Sequence, residues 1–222
     1  MFNYKRIIDI SQPVKTNSAN FPGDTAYKHE ILLTVEQSKV VNLTSLTMSP
    51  HIGTHVDAPA HIKGDMKTES ELVGAMPLEP FVGPALVIDL APTQDGISWK
   101  SVEPHIASLK DLPERILFRT QNTIRYDVFE DEYSFFTTEL VSALAKRGVK
   151  LMGIDAPSAD HIRSKTLDAH HELDRLHMTW LENLDLTHVA AGKYFLIALP
   201  IKFMELEASP VRAVLLDTGA NE

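Results

Sequence analysis

The chain has 222 residues, 44% of them apolar, enough for one well-buried core and a single domain spanning 1–222. It contains no cysteine, so disulfides and thiolate chemistry are excluded and any metal must be held by nitrogen and oxygen. A formal charge of −9 offers no basic patch for nucleic acid, and no apolar run reaches the ~18 residues a membrane span needs. The opening MFNYKRIIDIS lacks the apolar stretch and small-residue cleavage site of a secretory leader, so a cytoplasmic location is expected.

In chain order, short runs of branched and aromatic residues predict strands at 5–10, 31–35, 42–48, 85–90, 115–119, 150–154, 194–198 and 211–216. Helical periodicity appears between 99 and 109. It is clearer over 138–147, where Leu140, Val141, Leu144 and Ala145 form a stripe that Thr137 can cap and Gly148 can end. A third helix is predicted from His170 to about Asn183, with Leu173, Leu176, Trp180, Leu181 and Leu184 repeating at three and four. Strands outnumber helices and interleave with them irregularly. The expected fold is α/β, with a mixed, barrel-like central sheet and flanking helices.

The densest chemistry lies in SPHIGTHVDAPAHI, residues 49–62, where His51, Gly53, His55, Asp57, Pro59 and His61 all fall on odd positions. Three imidazoles and a carboxylate are the inventory of a metal site with a spare acid–base group, suited to zinc, manganese or iron. Pro50, Gly53 and Pro59 interrupt any helix, and the β-branched Ile52, Thr54 and Val56 prefer extended backbone. In a strand His51, His55 and Asp57 share a face, but full extension would part the Cα atoms of the two histidines by about 13 Å. A bend or bulge at Gly53 is therefore expected.

A second cluster, His170, His171, His177 and Glu182, sits on the third predicted helix. On one continuous helix His170 and Glu182 would lie ~18 Å apart along the axis and about 120° apart around it, and could not share a metal. Either the helix begins after His171 or the two residues do not act together. The favoured reading of His171 is a packing histidine or one supporting a ligand, and that of His177 an interior or rim group on the same helix. His29, His105, His161 and His188 carry no spacing argument.

HIGTHVDAPAH matches the HxGTHxDxPxH signature of the metal-dependent cyclase-like hydrolases. IIDISQPV, FPGD at 21–24, MPLEPFVGPALVIDL, GIDAPS, AHHELDRLHMTWLENL, YFLIALP and SPVRAVLLD extend a resemblance to the bacterial kynurenine formamidases (arylformamidases) along nearly the whole chain. The resemblance implies the swivelling β/β/α cyclase-like fold and a homodimer. It implies hydrolysis of a small-molecule substrate, N-formyl-L-kynurenine, to L-kynurenine and formate in tryptophan degradation.

It also implies two Zn2+ per subunit, with Mn2+ admissible, on His51, His55, Asp57, His170 and Glu182, the ions roughly 3.5–4 Å apart. If so, the segment joining His170 to Glu182 must break or curl back. His61 is the implied catalytic residue, and an imidazole with a pKa near 6.5 can take a proton from water and return it to the leaving amine. Where the family has tryptophan ahead of PGD this chain has Phe21, which keeps an aromatic face for the substrate and loses an N–H donor. Asp155 of GIDAPS could orient a ligand or cap a turn. Two other readings remain: hydrolysis of a cyclic amide such as isatin on the same core, and a non-catalytic metal-binding protein.

Overall fold

The computed structural model describes residues 3–64 and 66–219. Its strands are, in chain order, β1 (Arg6–Asp9), β2 (Lys28–Leu33), β3 (Leu43–Thr47), β4 (His55–Asp57), β5 (Val82–Asp89), β6 (Arg115–Arg119), β7 (Leu151–Ile154), β8 (Thr179–Glu182), β9 (Gly192–Ile197), β10 (Ala208–Pro210) and β11 (Val214–Asp217). The helices are α1 (Val35–Ser38), α2 (Ala60–Lys63), α3 (Trp99–Ile106), α4 (Thr138–Ala145) and α5 (Asp168–Arg175). β2 and β3 form a separate hairpin, and the other nine strands make one strongly curled sheet in the order β1-β11-β9-β5-β6-β7-β8-β4-β10. This is the mixed α/β architecture that the sequence predicts.

The middle of the sheet is built of β-α-β units. β5, β6, β7 and β8 are parallel neighbours, and α3, α4 and α5 are the crossovers between them. Alternation along each strand separates two cores. Leu86, Ile88, Ile116, Phe118, Met152, Ile154 and Trp180 pack toward the helices. Ala85, Val87, Leu117, Leu151 and Leu181 pack on the opposite face, with Ile10, Val56 and Leu196. The strands are thus buried on both faces, which is why they read as continuous apolar runs rather than as alternating ones.

Most boundaries fall within a few residues of expectation, and the differences have local causes. β2 starts earlier than predicted and stops at Leu33, because Thr34 turns to cap α1. Its hydroxyl accepts from Gln37 N at 3.4 Å while Gln37 Oε1 accepts from Thr34 N at 2.9 Å. In α4 the Thr137 cap forms as predicted, accepting from Leu140 N at 3.2 Å. The last predicted strand begins later, at Val214; β4 falls in the run whose β-branched residues favour extended backbone, whereas β8 and β10 are strands of three or four residues that no local pattern marked.

The helix predicted from His170 to about Asn183 does not exist as one element, and its start after His171 is also wrong. α5 runs from Asp168 to Arg175, a turn follows, and β8 occupies Thr179–Glu182. Both ends of α5 are set by the tertiary structure. The carboxylate of Asp160 accepts from Ala169 N at 3.0 Å and His170 N at 2.9 Å, satisfying first-turn donors that no residue of the helix serves. Leu167 (φ 49°), His177 (φ 54°) and Asn183 (φ 55°) lie in the left-handed region and bend the chain before the helix, between helix and strand, and after the strand.

Candidate metal centre

β4 lies between β8 and β10, antiparallel to both, and its register with β8 sets His55 opposite Glu182 and Val56 opposite Leu181. Directly opposed residues share a face. Val56 and Leu181 therefore enter the core away from the helices, while His55, Asp57, Trp180 and Glu182 look toward α5. His170, in the first turns of α5, faces them. His51 is not part of the strand. It sits in the turn ahead of Gly53, whose φ of 63° makes the expected bend and swings the His51 ring back toward Asp57.

The five side chains that the resemblance implies as ligands meet here. His51 Nδ1 is 2.9 Å from Asp57 Oδ1, and His55 Nε2 is 3.4 Å from both Asp57 Oδ1 and Glu182 Oε2. His170 Nε2 is 3.4 Å from Glu182 Oε1 and 3.6 Å from Asp57 Oδ2. His55, Asp57, His170 and Glu182 are buried, and His51 is partly so.

Each group is also held from behind. His55 Nδ1 donates to Gly53 O at 2.9 Å, His170 Nδ1 donates to Asp160 Oδ2 at 2.6 Å, and His51 Nε2 lies 3.4 Å from Glu207 Oε1. Trp180 Nε1 donates to Asp57 Oδ2 at 3.1 Å, and Ala159 N donates to Glu182 Oε1 at 2.7 Å. Such outer partners fix ring tautomers and orientations. Asp160, Glu207 and Trp180 went unrecognised in the sequence. Trp180 could have been found from its two-residue offset to Glu182 had β8 been read as a strand, but nothing marks Asp160 or Glu207.

This arrangement fits a cation. With Nδ1 of His55 and His170 committed as donors, each neutral ring turns its Nε2 lone pair toward two carboxylates, which are themselves acceptors. Asp57 Oδ1 is buried and has no hydrogen-bond partner among the described residues, although two imidazole nitrogens approach it. An acceptor cluster of this kind is stable only with positive charge inside it. Protons can supply that charge. Burial works against ionised imidazole, but Asp57 and its neighbours outweigh it and push His51 up to about 9. His55 is raised in the same way, and His170 by Asp160 first and then by Asp57 and Glu182, both against burial; Asp57 is held well below the usual carboxylate range despite its burial, chiefly by His55. A divalent ion would replace these protons.

The ring of His61 is 4.5 Å from that of His51 and 5.9 Å from that of His170, centroid to centroid, on the short helix α2 that Pro59 begins. Crowding by the site desolvates it, and with His51 and His170 alongside its pKa falls below the ordinary value despite Asp57. A nitrogen of His61 also comes within 4.8 Å of ligand atoms of His51 and Asp57, so the ring can act beside a metal or on it.

The cluster forms the floor of a cavity of about 690 Å³. Phe21 lines it and meets Phe129 edge to face at a centroid distance of 5.3 Å, giving an aromatic wall. Phe21 is presented by a turn through Pro22 and Gly23 (φ 92°), closed by Asp24 N donating to Phe21 O at 3.0 Å. His161, which carried no spacing argument, lines the cavity too. His171 and His177 do not: both are exposed, His171 on the outer side of α5 and His177 in the turn after it. Asp155 caps a turn, accepting from Thr120 N (2.7 Å), Thr120 Oγ1 (2.7 Å) and Gln121 N (2.8 Å).

The curled mixed sheet and this His/Asp/Glu floor together define a class, the cyclase-like hydrolases. The family model described as "Putative cyclase" matches residues 8–161, and the chain belongs to that family. Kynurenine formamidase of Bordetella avium is 42% identical to this chain over 216 residues, 97% of this chain and 100% of its own length. Among solved structures, a predicted metal-dependent hydrolase from Bacillus stearothermophilus aligns with a TM-score of 0.77 at 26% identity, covering 96% of this chain and 98% of its own. Isatin hydrolase A from Labrenzia aggregata aligns with a TM-score of 0.83 at 22% identity, over 96% of this chain and 94% of its own, a likeness of fold.

Proposed function

We propose that the chain is an arylformamidase that hydrolyses N-formyl-L-kynurenine to L-kynurenine and formate, in the kynurenine route of tryptophan degradation. The observation that carries this reading is the 42% identity with a kynurenine formamidase along 97% of the chain. The buried acceptor cluster at the floor of an aromatic-walled cavity supports it.

His51, His55, Asp57, His170 and Glu182 would hold two divalent ions, zinc in the first instance and manganese as the alternative. Bound there, the ions would supply Lewis acidity toward the formyl oxygen and lower the pKa of water. The chain's own residues do the rest. His61, with its lowered pKa, is neutral near pH 7; it takes a proton from water and returns it to the departing aryl amine. Phe21 and Phe129 pack on the aryl ring and bring the formamide to the floor. Gly53 O, Asp160 and Trp180 keep the ligand side chains from rotating.

The whole chain, 1–222, would work as one domain, in the cytoplasm and as a homodimer. The apolar side chains that the β2–β3 hairpin exposes, Ile31, Leu32, Leu43 and Leu46, suit a contact with a second copy. No helix among the described residues is long and apolar enough to cross a membrane.

Formate release from N-formyl-L-kynurenine, before and after chelation and with zinc or manganese restored, tests the reading. Turnover should vanish with chelator and return with metal. A protein that binds metal but leaves this substrate intact would move the assignment to cyclic amides such as isatin. One that merely unfolds on chelation would be a structural metal protein.

A further inference from the structure

The cavity's chemistry changes from floor to mouth. Two side chains with permanent positive charge line it, Arg125 and Lys165, and they differ in company. Arg125 Nε donates to Glu130 Oε1 at 2.7 Å, so its charge is matched by a carboxylate on the same loop. Lys165 is exposed and makes no ion pair among the described residues.

The loop that carries Lys165 is nevertheless fixed. Ser164 N donates to His161 O at 2.8 Å, and Ser164 Oγ accepts from Leu167 N at 2.9 Å. Three residues beyond Leu167 comes His170, and the other end of the loop is Asp160, which holds the His170 ring. An uncompensated ammonium is therefore tied, through a short braced loop, to the same residues that build the floor. A chain of acidic balance, with 30 Asp and Glu against 21 Lys and Arg, has carboxylates to spare for pairing a cation it does not need free.

We infer that Lys165 binds the α-carboxylate of an amino-acid tail on the substrate, with the aryl ring on the Phe21–Phe129 wall and the formamide at the floor. This rests on the formamidase reading and deepens it. The site would select aryl formamides that carry an anionic tail over the same formamides without one. The Lys165 ammonium supplies the attraction, and the loop's bracing lowers the cost of ordering it. Lys165 touches the tail and not the reacting atoms, so its effect belongs in KM.

The test compares kcat/KM for N-formyl-L-kynurenine and for 2-formamidoacetophenone, which lacks the amino-acid tail, in the metal-loaded wild type, Lys165→Gln and Lys165→Arg. In the wild type the tailed substrate should be preferred, and the preference should shrink as ionic strength rises. Lys165→Gln should lower the ratio of the two kcat/KM values about fivefold, the worth of one partly exposed ion pair, with the loss in KM and restored by Lys165→Arg. A ratio that Lys165→Gln leaves unmoved while both formamides are cleaved overturns the inference and spares the formamidase reading. A wild type that cleaves neither formamide overturns both.

Discussion

The candidate metal centre is made of two halves held in different ways. The first arrives on the turn at Gly53 and on β4. There the His55 ring is braced by a backbone carbonyl two residues away, and Gln12 N donates to Thr54 Oγ1 at 2.9 Å to pin the residue between them. The second half arrives on α5 and β8, separated by a turn, and its His170 ring is braced by the carboxylate of Asp160, ten residues back in sequence. A neutral carbonyl orients a ring, whereas an ionised carboxylate also makes it a stronger electron donor. The first half is therefore secured by local backbone shape. The second depends on one buried charge that both starts the helix and aims the His170 ring.

Asp57 belongs to both halves, and its loss should have the largest effect. Its two oxygens face His51 and His55 on one side and His170 and Trp180 on the other. Asp57→Asn keeps the shape and removes the charge. It should lower kcat/KM on the order of 10⁴-fold, reflecting several kcal/mol of lost metal chemistry, with metal content falling in parallel. Full metal occupancy with near-normal turnover would show that Asp57 is not shared.

His61 lies between the halves and should come next. His61→Asn should cost about 10²–10³-fold in kcat while leaving bound metal in place. The sign of its pH dependence follows from its surroundings. Desolvation and the adjacent His51 and His170 hold its pKa below 6.5, and a base must be neutral to act. Activity should therefore persist as pH falls through 6.5 and drop only below that, and the acid limb should disappear in the variant. Loss of metal from His61→Asn would instead make the ring a ligand.

Asp160→Asn attacks the second half alone. Asparagine keeps only one acceptor oxygen for Ala169 N and His170 N and cannot supply a charge to His170, so metal affinity should fall about 10- to 100-fold, read by competition with a chromogenic chelator. Apo-protein stability should fall less, since one of the two cap hydrogen bonds survives. If the variant bound metal as the wild type does, the two halves would be braced equivalently.

The same contrast explains what could be read in the sequence. His51, His55, Asp57 and His61 stand in one run whose prolines and β-branched residues exclude a helix, so both their clustering and the bend at Gly53 were legible. The strands of the sheet's centre were legible because both their faces are buried. The His170–Glu182 stretch was not: its apolar residues fall at helical spacing and no glycine or proline divides it. The break occurs at His177, whose backbone lies in the left-handed region that few residues other than glycine adopt, and Trp180 and Leu181 then take opposite faces of the sheet. Tertiary packing overrode the local pattern there. Asp160 and Glu207 were invisible because their partners are contacts in space.

Gly53→Ala probes the first half, and its effect should be the smallest. At φ 63° an alanine is strained, and its Cβ would lie 2.8 Å from Val14 Cγ2 and force that side chain to shift. The cost should be about 1–2 kcal/mol of stability, seen as a lower urea midpoint of the apo-protein with an unchanged slope. Metal affinity should fall less than in Asp160→Asn, because the Gly53 carbonyl is still present to orient His55 once the chain has folded. The two variants should therefore cross over: alanine at 53 costs mainly folding, and asparagine at 160 costs mainly metal. A Gly53→Ala protein of wild-type stability but with metal binding as weak as in Asp160→Asn would mean that the turn tunes the ligand directly, rather than only shaping the backbone that carries it.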